Sequence, residues 1–412
     1  MAVVKPFKAV RPAKDRADKV VALPYDVMNR KEAVQMAAGN PCSFLHISRA
    51  EIDLPEMKDP YDKSVYEKAK QNIEENLDSG VFIEEERPAL YIYRQQMNGR
   101  HQTGIVGCVS IDDYENNIIK KHEFTRVEKE IDRINHFDVC NANTEPVFLT
   151  YRDNLKIRTL IEGYIQGREP EYDFVSRDGV GHTLWVIDDN DLIKSLCGLF
   201  DQVPDFYIAD GHHRSASACK VGELRREQHP DYTGEEFNFF MAVIFPDKDL
   251  RIYDYNRVVK DLAGYTKEAF LQKIAEAGFT VTDEGSMPYR PDAIHEFSMY
   301  LEGHWYKLVC EERIIPDDLI GALDVSILQQ NLLAPILKIE DPRIDQRIDF
   351  VGGIRGLKEL ERRATLDMKV AFAVYPVSME ELMNIADHGE IMPPKSTWFE
   401  PKIGSGLFMH RL

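Results

Sequence analysis

The strongest signals in the chain are runs and periodicities of apolar positions. Phe239-Phe240-Met241-Ala242-Val243-Ile244-Phe245 is a near-continuous apolar run, the pattern of a central strand covered on both faces. Residues 89–95 and 102–111 read as two strands, and Asn98-Gly99 between them suits the tight turn of a hairpin. In 61–77, Val65, Ala69, Ile73 and Leu77 recur at helical spacing and Ser79-Gly80 supplies a stop, so a surface helix is expected. The same reading predicts strands at 43–49, 144–151, 183–187 and 206–209, with helices at 31–38, 155–166, 189–200 and from Ser215 onward. Later it predicts helices at 267–277, 324–337, 357–364 and 379–385, a hairpin at 295–310 around Glu302-Gly303, and a strand at 369–375. Strands and helices interleaved in this way imply an α+β protein with mixed sheets. A break near 247–257 divides it into an N-terminal lobe, 1–250, and a C-terminal α+β lobe, 251–412.

Length and composition narrow the function classes. At 412 residues the chain is long enough for two or three domains, and 43% hydrophobic with 29% charged residues is a globular composition. A net charge of -19 opposes nucleic-acid binding, which draws its affinity from clustered Lys and Arg. No apolar run approaches the roughly 18 residues of a membrane span, and residues 1–10 lack the apolar core of a secretory signal. The expectation is a cytoplasmic protein with neither nucleic acid nor membrane as partner. Six scattered cysteines form no Cys-x-x-Cys pair, which points to reduced thiols without a metal.

Candidate chemistry centres on Asp210-Gly211-His212-His213-Arg214-Ser215, where the strand 206–209 turns directly into a helix. A helix start presents unpaired N–H groups and partial positive charge, a natural seat for phosphate. Arg214 adds a forked cation, His212 and His213 add titratable donors, and Gly211 permits the tight turn. Adjacent histidines point apart, so a shared zinc is not expected. The chain has neither a P-loop nor a G-x-G-x-x-G fingerprint. Upstream, His122 and Glu123 stand at a strand-to-helix junction, where side chains can enter a cleft. Ser43, His46 and Arg49 lie on or beside a short apolar stretch, within reach of a small ligand.

Asp210 to Arg214 resembles the nucleotide-phosphate motif of the ParB/sulfiredoxin-like superfamily, most closely its free serine kinase branch, over a core of about 89–246. The whole chain is also similar to a family of unknown function often labelled ParB-like. That likeness runs through Leu23-Pro24-Tyr25-Asp26-Val27, Lys121-His122-Glu123-Phe124-Thr125-Arg126, the Asp210 turn, 349–356 and 393–397.

The resemblance implies a phosphotransferase acting between ATP or ADP, with Mg²⁺, and a small hydroxyl metabolite, serine or phosphoserine. Glu123, with His122 beside it, is the implied base for the hydroxyl, and Asp210 holds Mg²⁺ or orients the acceptor. Gly211, His212, His213, Arg214 and Ser215 bind the phosphates. Ser43, His46, Arg49 and Arg126 are the implied substrate contacts, with Arg355, Lys395, Ser396 and Thr397 closing over the anion from the second lobe. Homodimerisation stays open. A competing reading is a non-catalytic ParB-like switch that binds CTP or ATP. A sulfiredoxin-like sulfinic acid reductase would need a cysteine in the turn, and the turn has none.

Overall fold

The expected hairpin organises the first sheet of the computed structural model, which describes residues 2–55, 59–230 and 235–412. Strands β1 (Leu90–Met97) and β2 (Arg100–Ser110) pair antiparallel, with Met97 opposite Arg100. Asn98 and Gly99 take φ of 51° and 75°, the backbone that a two-residue hairpin requires and that Asn and Gly best tolerate. The other members follow in chain order: β3 (Ile119–Lys120), α1 (Val127–Cys140), β4 (Val147–Tyr151), β5 (Tyr172–Val175) and β6 (Gly181–Ile187). Then come β7 (Phe206–Asp210), α2 (His212–Gln228) and β8 (Phe239–Pro246).

The nine-stranded mixed sheet runs β3-β7-β4-β8-β2-β1-β6-β5, with Val4–Lys5 added beside β2. The apolar run of β8 lies between β4 and β2, parallel to the first and antiparallel to the second. Seven of its eight residues are buried, because both faces of a central strand are covered. One face of the sheet builds a core that includes Ile92, Ile105, Leu149, Phe206 and Ile208, closed by helices Leu155–Ile165 and Asn190–Phe200.

Two compact units are present: Met1–Leu250 together with Pro401–Leu412, and Arg251–Glu400. The assignment of 401–412 to the second lobe is therefore corrected. Met409–Arg411 pairs with Ala9–Pro12 and Ala142–Asn143, and Ser405 bridges to Ala22, so backbone hydrogen bonds hold the tail in the first unit. By itself, the second unit holds a six-stranded sheet ordered Phe279–Gly285, His304–Cys310, Glu296–Leu301, Val370–Val374, Tyr255–Val259, Ile348–Gly352. The Glu302-Gly303 turn joins Glu296–Leu301 to His304–Cys310 as expected.

Three local expectations change. The strand expected at 43–49 is instead a one-turn helix, Leu45–Ser48, in which Ser48 N donates to Phe44 O at 2.9 Å and Arg49 N to Leu45 O at 3.0 Å. Turning the segment buries Phe44, Leu45 and Ile47 together, which an alternating strand could not do. The long helix expected at 324–337 is α-helical only over Asp324–Leu328 and then widens into a π-turn at Gln329–Leu333, with Ala334 N bonding Gln329 O. Finally, the helix after the turn begins at His212, three residues before Ser215. Among the described residues no helix is long and apolar enough to cross a membrane.

Candidate functional site

Gly211 makes the turn possible. Its φ of +95° lies in the left-handed region, and a Cβ there would sit 3.0–3.1 Å from the Arg214 guanidinium. The chain therefore passes from β7 into α2 with the first helical N–H groups at the mouth of the turn. The small buried residues Ser215, Ser217 and Ala218 let α2 seat closely, and Ser217 Oγ donates to the Glu130 carbonyl of α1 at 3.1 Å.

Strand register brings the upstream pair to this turn. β3 runs parallel to β7, with Ile119 opposite Phe206 and Lys120 opposite Tyr207. That alignment carries 121–126 alongside the end of β7, where backbone N–H groups of the segment meet the two histidines. His122 N donates to His212 Nε2 at 3.5 Å, and Arg126 N to His213 Nε2 at 3.0 Å. The rings of His122 and His212 meet edge-on with centroids 4.5 Å apart, and Glu123 Oε2 lies 3.8 Å from His212 Nδ1.

Both inner histidines stay neutral. Burial pushes His122 down to about 4 against a partial opposing pull from Asp210 and from a hydrogen bond to the Ile208 backbone. Burial, with His122, His213 and Arg214 nearby, holds His212 well below the usual imidazole range. Burial also lowers His213, although Asp26 pulls the other way.

Arg214, expected as a phosphate contact, is engaged with the protein. Only 2% of the residue is exposed; Nη1 donates to the Pro146 carbonyl and Nη2 to Asp210 at 3.1 Å. Burial disfavours its charge, but Asp210, Asp26 and Glu145 outweigh that, so its pKa rises. Through its two Nη atoms the guanidinium fixes the turn from beneath, while Nε has no hydrogen-bond partner among the described residues. Ser215 Oγ is likewise turned back, donating to Gly211 O at 3.2 Å. Around the mouth stand Glu123, which faces His212, Asp210, which pairs with Arg214 and Lys402, His213, Arg126 and the N–H groups of the first turn of α2.

Behind the turn lies a buried ionic cluster. Glu145 is 1% exposed; Oε1 accepts from Ser405 Oγ at 2.7 Å and Tyr25 N at 3.3 Å. Oε2 faces Arg133 Nη1 at 3.8 Å, an ion pair too long to satisfy either atom as a hydrogen bond. Burial raises the Glu145 carboxyl, with Arg214 and Arg133 pulling it back. Arg133 stacks 4.0 Å from the Tyr25 ring and bonds Asp132 through Nε at 3.0 Å. From the tail, Lys402 Nζ reaches Asp210 Oδ1 at 3.7 Å.

The remaining site expectations fall elsewhere. His46 is bound on both ring nitrogens, to Asp53 at 2.7 Å and the Asn40 carbonyl at 3.1 Å, and the Asp53 hydrogen bond raises its pKa despite partial burial. Arg49 Nη1 donates to the Tyr25 and Met28 carbonyls, at 3.0 and 3.4 Å, while its Nε lies 2.8 Å from Glu51. Ser43 accepts from Leu45 N at 3.4 Å. Each of these three residues, expected as ligand contacts, makes hydrogen bonds within its own local structure. Arg355, Lys395, Ser396 and Thr397 belong to the second unit. There Lys395 O accepts from Arg257 at 3.2 Å and Ser396 Oγ donates to Pro393 O at 2.6 Å.

Among the described residues no three His, Cys, Asp or Glu side chains are grouped to hold a metal ion. Cys219, beyond the turn, is buried with its thiol pushed up far above the ordinary range, which leaves it inert.

A family model described as "Protein of unknown function (DUF1015)" matches residues 4–326. The chain belongs to this family. No curated protein matches it at a significant level. Among solved structures, free serine kinase in complex with AMP aligns with a TM-score of 0.36 and 14% identity, over 71% of this chain and 86% of that one. SbnI with C-terminal truncation from Staphylococcus aureus aligns at 0.40 and 11%, over 74% and 87%. A conserved hypothetical protein from Pyrococcus furiosus aligns at 0.35 and 15%, over 74% and 94%.

Sequence reasoning missed Tyr25, Arg133, Glu145, Lys402 and Ser405 as parts of the site. Tyr25 sits in the Leu23 to Val27 stretch that carries the family resemblance, and this was the one usable signal. The others are ordinary charged or polar residues whose meaning comes from long-range packing.

Proposed function

We propose that the first unit transfers a phosphoryl group between a nucleotide, ATP or ADP, and a small hydroxyl metabolite of the serine or phosphoserine type. The observation that carries this reading is the 3.8 Å approach of the Glu123 carboxylate to His212, the first residue of the phosphate-seating helix. Phosphoryl transfer depends chiefly on positioning and charge stabilisation, and a carboxylate beside a helix start supplies a base next to an anion seat.

In this reading the N–H groups at the start of α2 receive phosphate oxygens, since Gly211 turns the backbone toward them and no intrahelical acceptor is available. Glu123 accepts the proton of the attacking hydroxyl. His122 and His212, held neutral, wall the site without adding charge that would compete with Glu123. Arg214 positions Asp210. Asp210 would be the protein's carboxylate for Mg²⁺ bound with a nucleotide, an ion that would supply charge neutralisation.

Phosphorus NMR of the full chain tests the proposal, with serine plus ATP or ADP in one arm and phosphoserine plus ADP in the other. A new phosphomonoester or nucleotide resonance in either arm supports it. Absence of transfer in both arms, with nucleotide shown to bind, overturns it in favour of a binding-only role.

A further inference from the structure

Lys402 faces two ways. Its ammonium lies 3.7 Å from Asp210, and the residue also lines a cleft in the first unit of about 270 Å³. Ser43, His182 and Gly404 share the interior of that cleft, with Val21 and Leu23 as apolar wall. Its outer lining is charged in both signs: Asp18 beside Lys19, and Arg177 beside Asp178.

Resting on the phosphotransfer reading above, we propose that this cleft is the acceptor subsite and takes a hydroxyl-bearing α-amino acid, with Lys402 as the cation for its carboxylate. Size points to this class. Pockets for drug-sized ligands run to roughly 300–1,000 Å³, so a smaller cleft suits a metabolite of amino-acid size better than a nucleotide. Charge points the same way. Only 10% of the Lys402 side chain is exposed, and an ammonium held in such a setting attracts a carboxylate more strongly than one in open water. A paired-sign outer lining accommodates a zwitterion, whose ammonium finds Asp178 or Asp18.

The interior is also fixed in shape. His182 bonds Tyr93 Oη through Nδ1 at 2.6 Å and Ser176 Oγ through Nε2 at 2.9 Å. A Cβ at Gly404 would fall 3.1 Å from the His182 ring, so the tail approaches the imidazole closely only because that residue is glycine. The Gln95 side chain holds the Lys402 backbone in place, Nε2 donating to its carbonyl at 2.8 Å. The cleft thus ends on a residue that is itself paired with the turn.

The test is titration calorimetry of the full chain with L-serine, O-phospho-L-serine and ADP, together with KM values from the NMR assay. Two variants are compared with the parent: Lys402→Met, and Met36→Trp, which narrows the cleft from a partly exposed position in its lining. The expected result is at least tenfold weaker binding or higher KM for the amino acid in both variants, with ADP affinity within twofold in Met36→Trp. Transfer with unchanged amino-acid KM in both variants would overturn the cleft assignment and leave the reaction standing. Amino-acid binding weakened by both variants, with no transfer in either direction, would keep the cleft as a binding site and defeat the reaction. If the parent binds neither serine nor phosphoserine, the cleft assignment fails.

Discussion

The imidazole of His122 meets that of His212 edge-on, with centroids 4.5 Å apart, although the two residues belong to segments 90 positions apart. Both rings are buried, which ties the protonation of this pair to folding as well as to any chemistry at the turn.

Acid should therefore weaken the fold before the carboxylates titrate. His122 and His182 are pushed down to about 4, and His212 and His136 lie well below their ordinary value, all chiefly by burial. An unfolded histidine takes its proton near pH 6.5, so stability is full above that value and falls as pH drops toward 4. Each such group contributes up to about 1.4 kcal/mol per pH unit over that window. Urea midpoints at pH 7.5, 6 and 5 should decline, and His122→Asn should make the decline shallower. The difference between the two proteins separates the histidine from buried carboxyls such as Glu145, whose raised pKa acts with the opposite sign.

Glu123→Gln keeps the shape of the side chain and removes its basicity. Transfer should fall by roughly 10²–10⁴-fold, the usual worth of a general base. Nucleotide affinity, measured by calorimetry, should change little, and near-normal turnover would remove Glu123 from the proposed role.

Gly211→Ala should cost about 1–3 kcal/mol, because it combines a left-handed backbone with a methyl group against Arg214. Gly167→Ala is the control, since φ there is +72° but nothing stands within 4 Å of the added carbon. Only the backbone penalty, about 1–2 kcal/mol, applies at that site. Chemical denaturation compares the two, and nucleotide binding should drop in Gly211→Ala alone.

Ser405→Ala removes the 2.7 Å hydrogen bond to the buried Glu145 carboxyl. The expected loss is about 1–3 kcal/mol, the worth of a hydrogen bond to a buried carboxyl whose Oε1 then keeps only the longer bond from Tyr25 N. A thermal midpoint equal to the parent's would mean that the tail does not secure the ionic cluster.

The elements legible in advance were those whose cause is local. Alternation around Asn98-Gly99, the apolar run of β8 and the glycine turn before α2 each state their own geometry within about ten residues. The short segment around Phe44 failed as a strand because Phe44, Leu45 and Ile47 are buried together by a helical turn, which alternation along the segment does not reveal. Asp324 onward failed as one long helix because the wider turn after Leu328 is decided by packing and by hydrogen bonds such as Gln329 Nε2 to Ile339 O at 2.7 Å.

By itself the sequence determined the strand-turn-helix at Asp210-Gly211-His212, because a left-handed residue between a strand and a helix start is a matter of backbone sterics. It also named His122-Glu123 as the pair to watch. Tertiary structure alone decided that the parallel register of β3 and β7 sets that pair against His212, that Arg214 points into the protein, and that the last twelve residues return Lys402 to Asp210. These outcomes depend on which surfaces are buried against which. That is a property of contacts between residues far apart in the chain, which no local pattern encodes.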